Sequence, residues 1–91
     1  MNLIETITLM ISGSYKDRFL AEYKQTKIRY EKLKKLNNQI EAYYSLDESK
    51  RGIMQKPIYD CPNNLLRQQQ HIMGEYLHIL EVRAEIEGIE L

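Results

Sequence analysis

The chain has 91 residues, with 13 Lys and Arg against 13 Asp and Glu, 43% hydrophobic and 29% charged residues, and one cysteine. That size suits one small domain, and the apolar content excludes wholesale disorder. A membrane span is excluded because no 18-residue apolar run exists, and Cys61 alone allows neither an intramolecular disulfide nor a cysteine-type zinc site.

The apolar start "MNLIETITLMI" lacks the basic lead and small-residue cleavage site of a signal peptide, so a cytoplasmic setting is expected. Asn2 with Glu5 three residues on predicts a capped first helix over about 2–11. Leu3, Ile4, Ile7, Met10 and Ile11 form its apolar stripe, and Ser12-Gly13 ends it. So short a helix is not stable alone and must rest on something.

Ser14, with Asp17 three residues later, predicts the start of a second helix over about 14–44. Phe19, Tyr23, Thr26, Tyr30, Leu33, Asn37, Ile40 and Tyr44 alternate by four and three, the spacing of a helix–helix seam. A helix of that length spans roughly 46 Å, too long to be wrapped within a compact domain of this size, so an elongated molecule is expected. The stretch at about 45–61, "SLDESKRGIMQKPIYDC", shows no sustained period and reads as a loop with room for a helical turn. Pro62 opens a third helix over about 62–87, which Gly88 ends.

On that last helix, with Tyr76 at 0° and about 100° per residue, Leu65, Leu66, Ile72, Met73, Leu77, Ile79, Leu80, Ala84 and Ile86 cover an arc of about 180°. One neighbouring helix cannot cover so wide an arc. The first helix and a second subunit are both expected on its flank. The resulting expectation is an all-α fold: a short N-terminal helix plus a long antiparallel helical hairpin in a single domain, 1–91, elongated and assembling as a homo-oligomer.

Charge is unevenly spread. From Tyr15 to Lys35, eight basic residues stand against three acidic ones, or +5; from Glu75 to Leu91, five glutamates stand against Arg83, or −4. Mutual attraction of the two long helices is the first reading, and long nucleic acid is not an expected partner.

Glu75-x-x-His78 has the spacing of di-iron bundles, but His71 and His78 fall on the solvent side, so no metal is expected there. No nucleophile–base set, HExxH or phosphate loop occurs, so no enzyme and no cofactor is expected. Three polar features fit the seams badly. Antiparallel pairing of Tyr44 near Asn63 places Asn37 and Gln69 in one inward layer, where an amide pair fixes register. Arg83 lies within the apolar arc, near Tyr23 and Glu22, with Glu22 or Glu87 as ion-pair partner. Arg18 and Arg29 border the second helix's apolar stripe beside Tyr15, whereas most lysines there are solvated. Such arginines and tyrosines suit bidentate phosphate contacts and base stacking at a subunit boundary.

The elements "SYKDRFLAEY", "RYEKLKK", "CP" at 61–62, "LLRQQ" at 65–69, "MGEYL" at 73–77 and "LEVRAEIEGIEL" at 80–91 together resemble a family of small helical phage and prophage proteins of gut bacteria related to crAss-like phages, whose function is unassigned. The resemblance covers nearly the whole chain except the connecting loop. It implies a phage accessory protein. By analogy with small helical phage sponges, it implies an oligomer that sequesters cyclic nucleotide or cyclic ADP-ribose-type immune signals. Tyr15, Arg18, Tyr23, Arg29 and Arg83 are the expected ligand-binding residues. A protein-binding inhibitor of anti-CRISPR type and a structural coiled-coil adaptor are the alternatives.

Overall fold

Four helices follow one another in the computed structural model, which describes residues 2–91: α1 Thr6–Met10, α2 Tyr15–Ser45, α3 Glu48–Arg51 and α4 Asn63–Glu87. No strand occurs among the described residues. The molecule is elongated, 55 × 25 × 20 Å, and its 17.0 Å radius of gyration exceeds the roughly 12 Å of a compact domain this long.

The caps explain where the long helices begin and end. Ser14 adopts extended backbone and its hydroxyl accepts the Asp17 N–H at 3.4 Å. Ser12 donates to the Asp17 carboxylate at 2.8 Å, so the acidic side chain lies at the positive end of α2. At the other terminus of the chain, Gly88 takes the left-handed conformation, φ 69° and ψ 32°, and closes α4. The Ile89 N–H then reaches back to the Ala84 carbonyl at 2.9 Å, and the Ile89 side chain enters the core.

α2 and α4 run antiparallel, because the start of α2 touches the end of α4 and its second half touches the beginning. Phe19, Tyr23, Leu77, Leu80, Ala84 and Ile89 form the buried cluster, with Leu20 and Tyr30 packed against it. Gly74 lets the Tyr30 ring lie against the α4 backbone, since a Cβ there would sit 3.3 Å from Tyr30 Cε2. Tyr44, the last position of the seam pattern, is largely exposed. Its ring packs edge-on against Tyr43 instead, and the Arg51 guanidinium of α3 lies 5.7 and 5.4 Å from the two ring centroids. That cation–π contact ties the connector to the end of α2.

Asn37 sits in the seam, 6% exposed, and its amide donates to Gln70 Oε1 at 2.8 Å and to the Leu66 carbonyl at 3.1 Å. Gln70, not Gln69, is therefore its partner; Gln69 is exposed. The cause is rotational. The α4 residues that meet α2 are Leu66, Gln70, Met73, Leu77, Leu80 and Ala84, which lie to one side of the apolar arc rather than at its centre.

α1 differs from its sequence pattern. The Asn2 side chain accepts the Glu5 N–H at 2.9 Å, as a cap should, but regular helix begins only at Thr6. Thr6 is fully buried and donates to the Leu3 carbonyl, while Ile4, Ile7 and Ile11 face outward. The segment rests on α2 through Gln25, whose amide donates to Thr6 Oγ1 at 2.9 Å and to the Met10 sulfur. A polar contact thus orients α1, and the isoleucines of its apolar stripe are left uncovered.

Asn37→Ala removes both amide bonds and strands the half-buried Gln70. It should lower unfolding free energy in urea by about 1–2 kcal/mol. Replacing Asn37 and Gln70 together by Leu should return much of that loss, because no unpaired amide then remains. Gly88→Ala, which forces a Cβ into left-handed backbone, should cost about 1–2 kcal/mol in the same assay.

Candidate functional site

Tyr15 and Arg83 meet at the end of the molecule where α2 begins and α4 finishes. The Arg83 Nη2 donates to the Tyr15 hydroxyl at 2.8 Å, and its Nε donates to Glu87 Oε2 at 3.3 Å. The Tyr15 hydroxyl in turn donates to Glu87 Oε1 at 2.7 Å. The guanidinium carbon stands 5.2 Å from the Phe19 ring centroid, and Phe19 is itself 6.2 Å from Tyr15. One aromatic ring beneath it and two polar partners beside it hold Arg83 in a single orientation. Among the described residues its remaining N–H groups find no acceptor, so they can serve an anion.

The other expected site residues are distributed around this centre. Arg18, one turn after Tyr15, donates from Nη1 to the Gly13 carbonyl at 3.2 Å and braces the link between α1 and α2. Arg29 is exposed and has no hydrogen-bond partner among the described residues. Tyr23 is 6% exposed and belongs to the core, with the Lys27 ammonium 5.7 Å from its ring centroid. The structure therefore joins Tyr15 and Arg83 directly, leaves Arg18 and Arg29 along the same flank of α2, and puts Tyr23 beneath the surface. The ion pair of Arg83 is with Glu87, not Glu22.

Glu22 has a different task. Its Oε1 accepts the Tyr76 hydroxyl at 3.2 Å and the Thr26 hydroxyl at 3.3 Å. Two tyrosine-to-glutamate hydrogen bonds thus connect α2 and α4 near the rim. No ion pair joins the lysines of α2 to the glutamates of α4; the described ion pairs are Arg83–Glu87 and His71–Glu75 at 3.2 Å, both within α4. The expected attraction between the basic and acidic helices is not realised in contacts. Most of the lysines of α2 and most of the acidic side chains of α4 are solvated. In water such pairs contribute little in any case.

The hollows within one chain are open, and they differ in the charge they present to a phosphate-bearing ligand. An open groove of about 760 Å³ is lined by Tyr30, Arg67, His71 and His78 on the other side of α4, but Glu75 pairs with His71 within it. A second, of about 480 Å³, includes an edge of Tyr23 but is ringed by Glu81, Glu85 and Glu90, which repel phosphate. A third lies among Lys24, Lys27 and Lys32 on the surface of α2. Among the described residues no three His, Cys, Asp or Glu side chains come together as a metal site, and no helix is long and apolar enough to cross a membrane.

Glu87 and Phe19 complete the Arg83 arrangement. The i, i+4 spacing of Arg83 and Glu87 is a sequence signal. Nothing in the spacing marks Phe19, a seam residue, as the ring below the guanidinium.

With this geometry in view, residues 13–86 match the Sequestin family, and the chain belongs to that family. No curated protein and no solved structure matches the chain.

The hydrogen bond to Glu87, followed by burial, holds the Tyr15 phenol above its ordinary pKa, with Arg83 pulling the other way. Burial first, then the charge and hydrogen bond of Glu22, raises Tyr76. Both folded-state values lie above the unfolded one. Their contribution to stability is therefore complete below about pH 10 and is lost as pH rises through the shifted values. Tyrosinate absorbance should show late-ionising phenols, Tyr59 with its hydrogen bond to Tyr44 among them; Tyr15→Phe and Tyr76→Phe should each remove one. Glu87→Gln should make Tyr15 ionise earlier, because Arg83 then acts on it without the opposing carboxylate.

Proposed function

We propose that this Sequestin-family chain is a sequestering protein without catalytic activity. In this reading it is a phage-encoded anti-defence factor that assembles as a homo-oligomer and binds a cyclic nucleotide or cyclic ADP-ribose-type immune signal. The observation that carries the reading is the family match over residues 13–86, which takes in both long helices; the family's name denotes sequestration. A sequestering protein needs tight binding and no chemistry.

Arg83 is the proposed phosphate anchor. Tyr15, Glu87 and Phe19 already hold its guanidinium, so little side-chain freedom is lost when an anion binds. Tyr15 borders the ligand, Arg18 and Arg29 supply further charge along the same flank, and Tyr23 supports the site from the core. Nanomolar sequestration needs about −12 kcal/mol. Open or acidic hollows such as those of the single chain do not supply it, which favours a site enclosed by more than one subunit.

The exposed apolar residues Ile4, Ile7 and Ile11 also suit a protein-binding inhibitor or a coiled-coil adaptor. A sequestering protein needs no host protein for its effect, whereas an inhibitor does.

Micromolar protein should deplete one member of a panel of cyclic nucleotides and cyclic ADP-ribose isomers from solution and release it unchanged on heating. Arg83→Ala should weaken that binding by roughly 10- to 100-fold, the range of a lost charge-assisted contact. If every signal in the panel stays free while a host protein is retained on the immobilised chain, the inhibitor reading replaces this one.

A further inference from the structure

The pairing of α2 with α4 leaves half of the apolar arc of α4 bare. Leu65, Ile72, Tyr76, Ile79 and Ile86 are respectively 52%, 54%, 40%, 54% and 80% exposed. With the exposed Gln69 and Arg83 they form a second row at four–three spacing, about 30 Å long and set about 110° around the helix from the row that meets α2. A row of this kind is a helix-packing seam without its partner.

The order of residues along the row identifies the partner. Tyr76 is central. Ile72 and Ile79 flank it, Gln69 and Arg83 follow at seven residues on either side, and Leu65 and Ile86 close the ends. The row reads alike in both directions, apolar against apolar and amide against guanidinium. Parallel pairing with another copy would set Arg83 against Arg83 in an apolar seam, which like charge disfavours. Antiparallel pairing sets Arg83 against the Gln69 carbonyl, which accepts its N–H, and opposes the two helix dipoles.

We infer that a second copy of this chain packs antiparallel on the outward row of α4, with Tyr76 on the two-fold axis and Gln69 against Arg83 of the partner subunit. Such a contact is isologous and closes on itself. Both α2 helices then lie on the same side of the α4 pair, slightly splayed because the two rows are more than a right angle apart. The flank of α2 that carries Arg29 borders the cleft between them. Tyr76 bonds Glu22 and Arg83 bonds Tyr15, so this antiparallel register places Arg29 at the level of Gln69. Arg29 therefore faces Tyr15 and Arg83 of the partner subunit, beside the carboxylate of the partner's Glu87. The match of amide to guanidinium across the contact and a composite cationic site come from one arrangement. The dimer rests on the row itself; its use as a ligand site rests on the sequestering reading above.

The test separates the two. In solution the protein should have twice the 10.9 kDa chain mass, and Ile72→Glu or Ile79→Glu should yield a helical monomer, since neither residue supports the fold of one chain. In a Cys61→Ser background, a mixture of Ile72→Cys and Ile79→Cys chains should form a disulfide-linked dimer, whereas Ile72→Cys alone should not. In the antiparallel register two copies of residue 72 are separated by more than the roughly 7 Å a disulfide spans. A monomeric wild-type protein, or ready cross-linking of Ile72→Cys alone, overturns the inference.

Binding of cyclic ADP-ribose as probe then tests the composite site. Arg29→Ala and Arg83→Ala chains should each lose binding, and their re-paired one-to-one mixture should regain about a quarter of the sites, because about half of the dimers are mixed and each of those rebuilds one intact site of its two. Failure of the mixture to regain binding while wild type binds overturns the shared site. Absence of probe binding by the wild-type dimer, where the mixed Ile72→Cys and Ile79→Cys chains cross-link as expected, counts against the ligand reading and leaves the dimer standing.

Discussion

The hydrogen bonds from Asn37 to Gln70 and to the Leu66 carbonyl set the rotation of α4 about its own axis. An amide in a seam cannot be left unpaired without a cost of about 1–3 kcal/mol. Its partner therefore has to be on the inward side of the neighbouring helix. Placing Gln70 there turns Leu66, Met73, Leu77, Leu80 and Ala84 toward α2 and turns Leu65, Gln69, Ile72, Tyr76, Ile79 and Ile86 outward. Had Gln69 been the partner, the helix would be rotated by about 100°, and the outward apolar row would be buried. The shape of the single chain, its uncovered surface and the environment of Arg83 all depend on that choice of amide.

Arg83 shows the same dependence from the other end of the helix. It is on the outward row, close enough to the inner seam to reach Tyr15 and to stand over Phe19. Burial of a guanidinium without partners is costly, but at the edge of a seam it keeps solvent while gaining two polar neighbours and an aromatic face. Glu87 balances its charge without consuming all of its donors. The result is a fixed cation at a surface boundary, a useful feature for a protein whose action is binding. The lysines of α2 are more numerous, but apart from Lys27 over the Tyr23 ring they have no such support, and their flexibility makes each a weaker recognition element.

The two halves of the charge distribution do not neutralise one another inside the chain. α2 and α4 meet through aromatic packing, one amide pair and tyrosine-to-carboxylate hydrogen bonds. The basic and acidic surfaces thereby stay open to other molecules, including another copy of the chain. Membership of the Sequestin family agrees with an architecture in which surface and rim, rather than a reactive centre, carry the distinctive residues.

Much of this was legible in the residues. Ser14 with Asp17 and Gly88 mark helix ends because capping is local chemistry. The Phe19–Ile40 pattern marks a seam because helical periodicity alone puts those side chains on one face. The width of the α4 arc also showed that one neighbour would not cover it. The pattern could not choose which part of a 180° arc meets α2, so Gln69 and Gln70 were indistinguishable as partners of Asn37. Nor could it show that the apolar stripe of α1 would face outward, because Thr6 and Gln25 are nineteen residues apart and each looks solvated in its own segment. The two long helices, their caps and the elongated shape are thus determined by sequence alone, through interactions within one or two turns. The rotation of one helix against another, and with it the gathering of Tyr15, Phe19, Arg83 and Glu87, was decided only by tertiary packing, where buried polar groups must all find partners together.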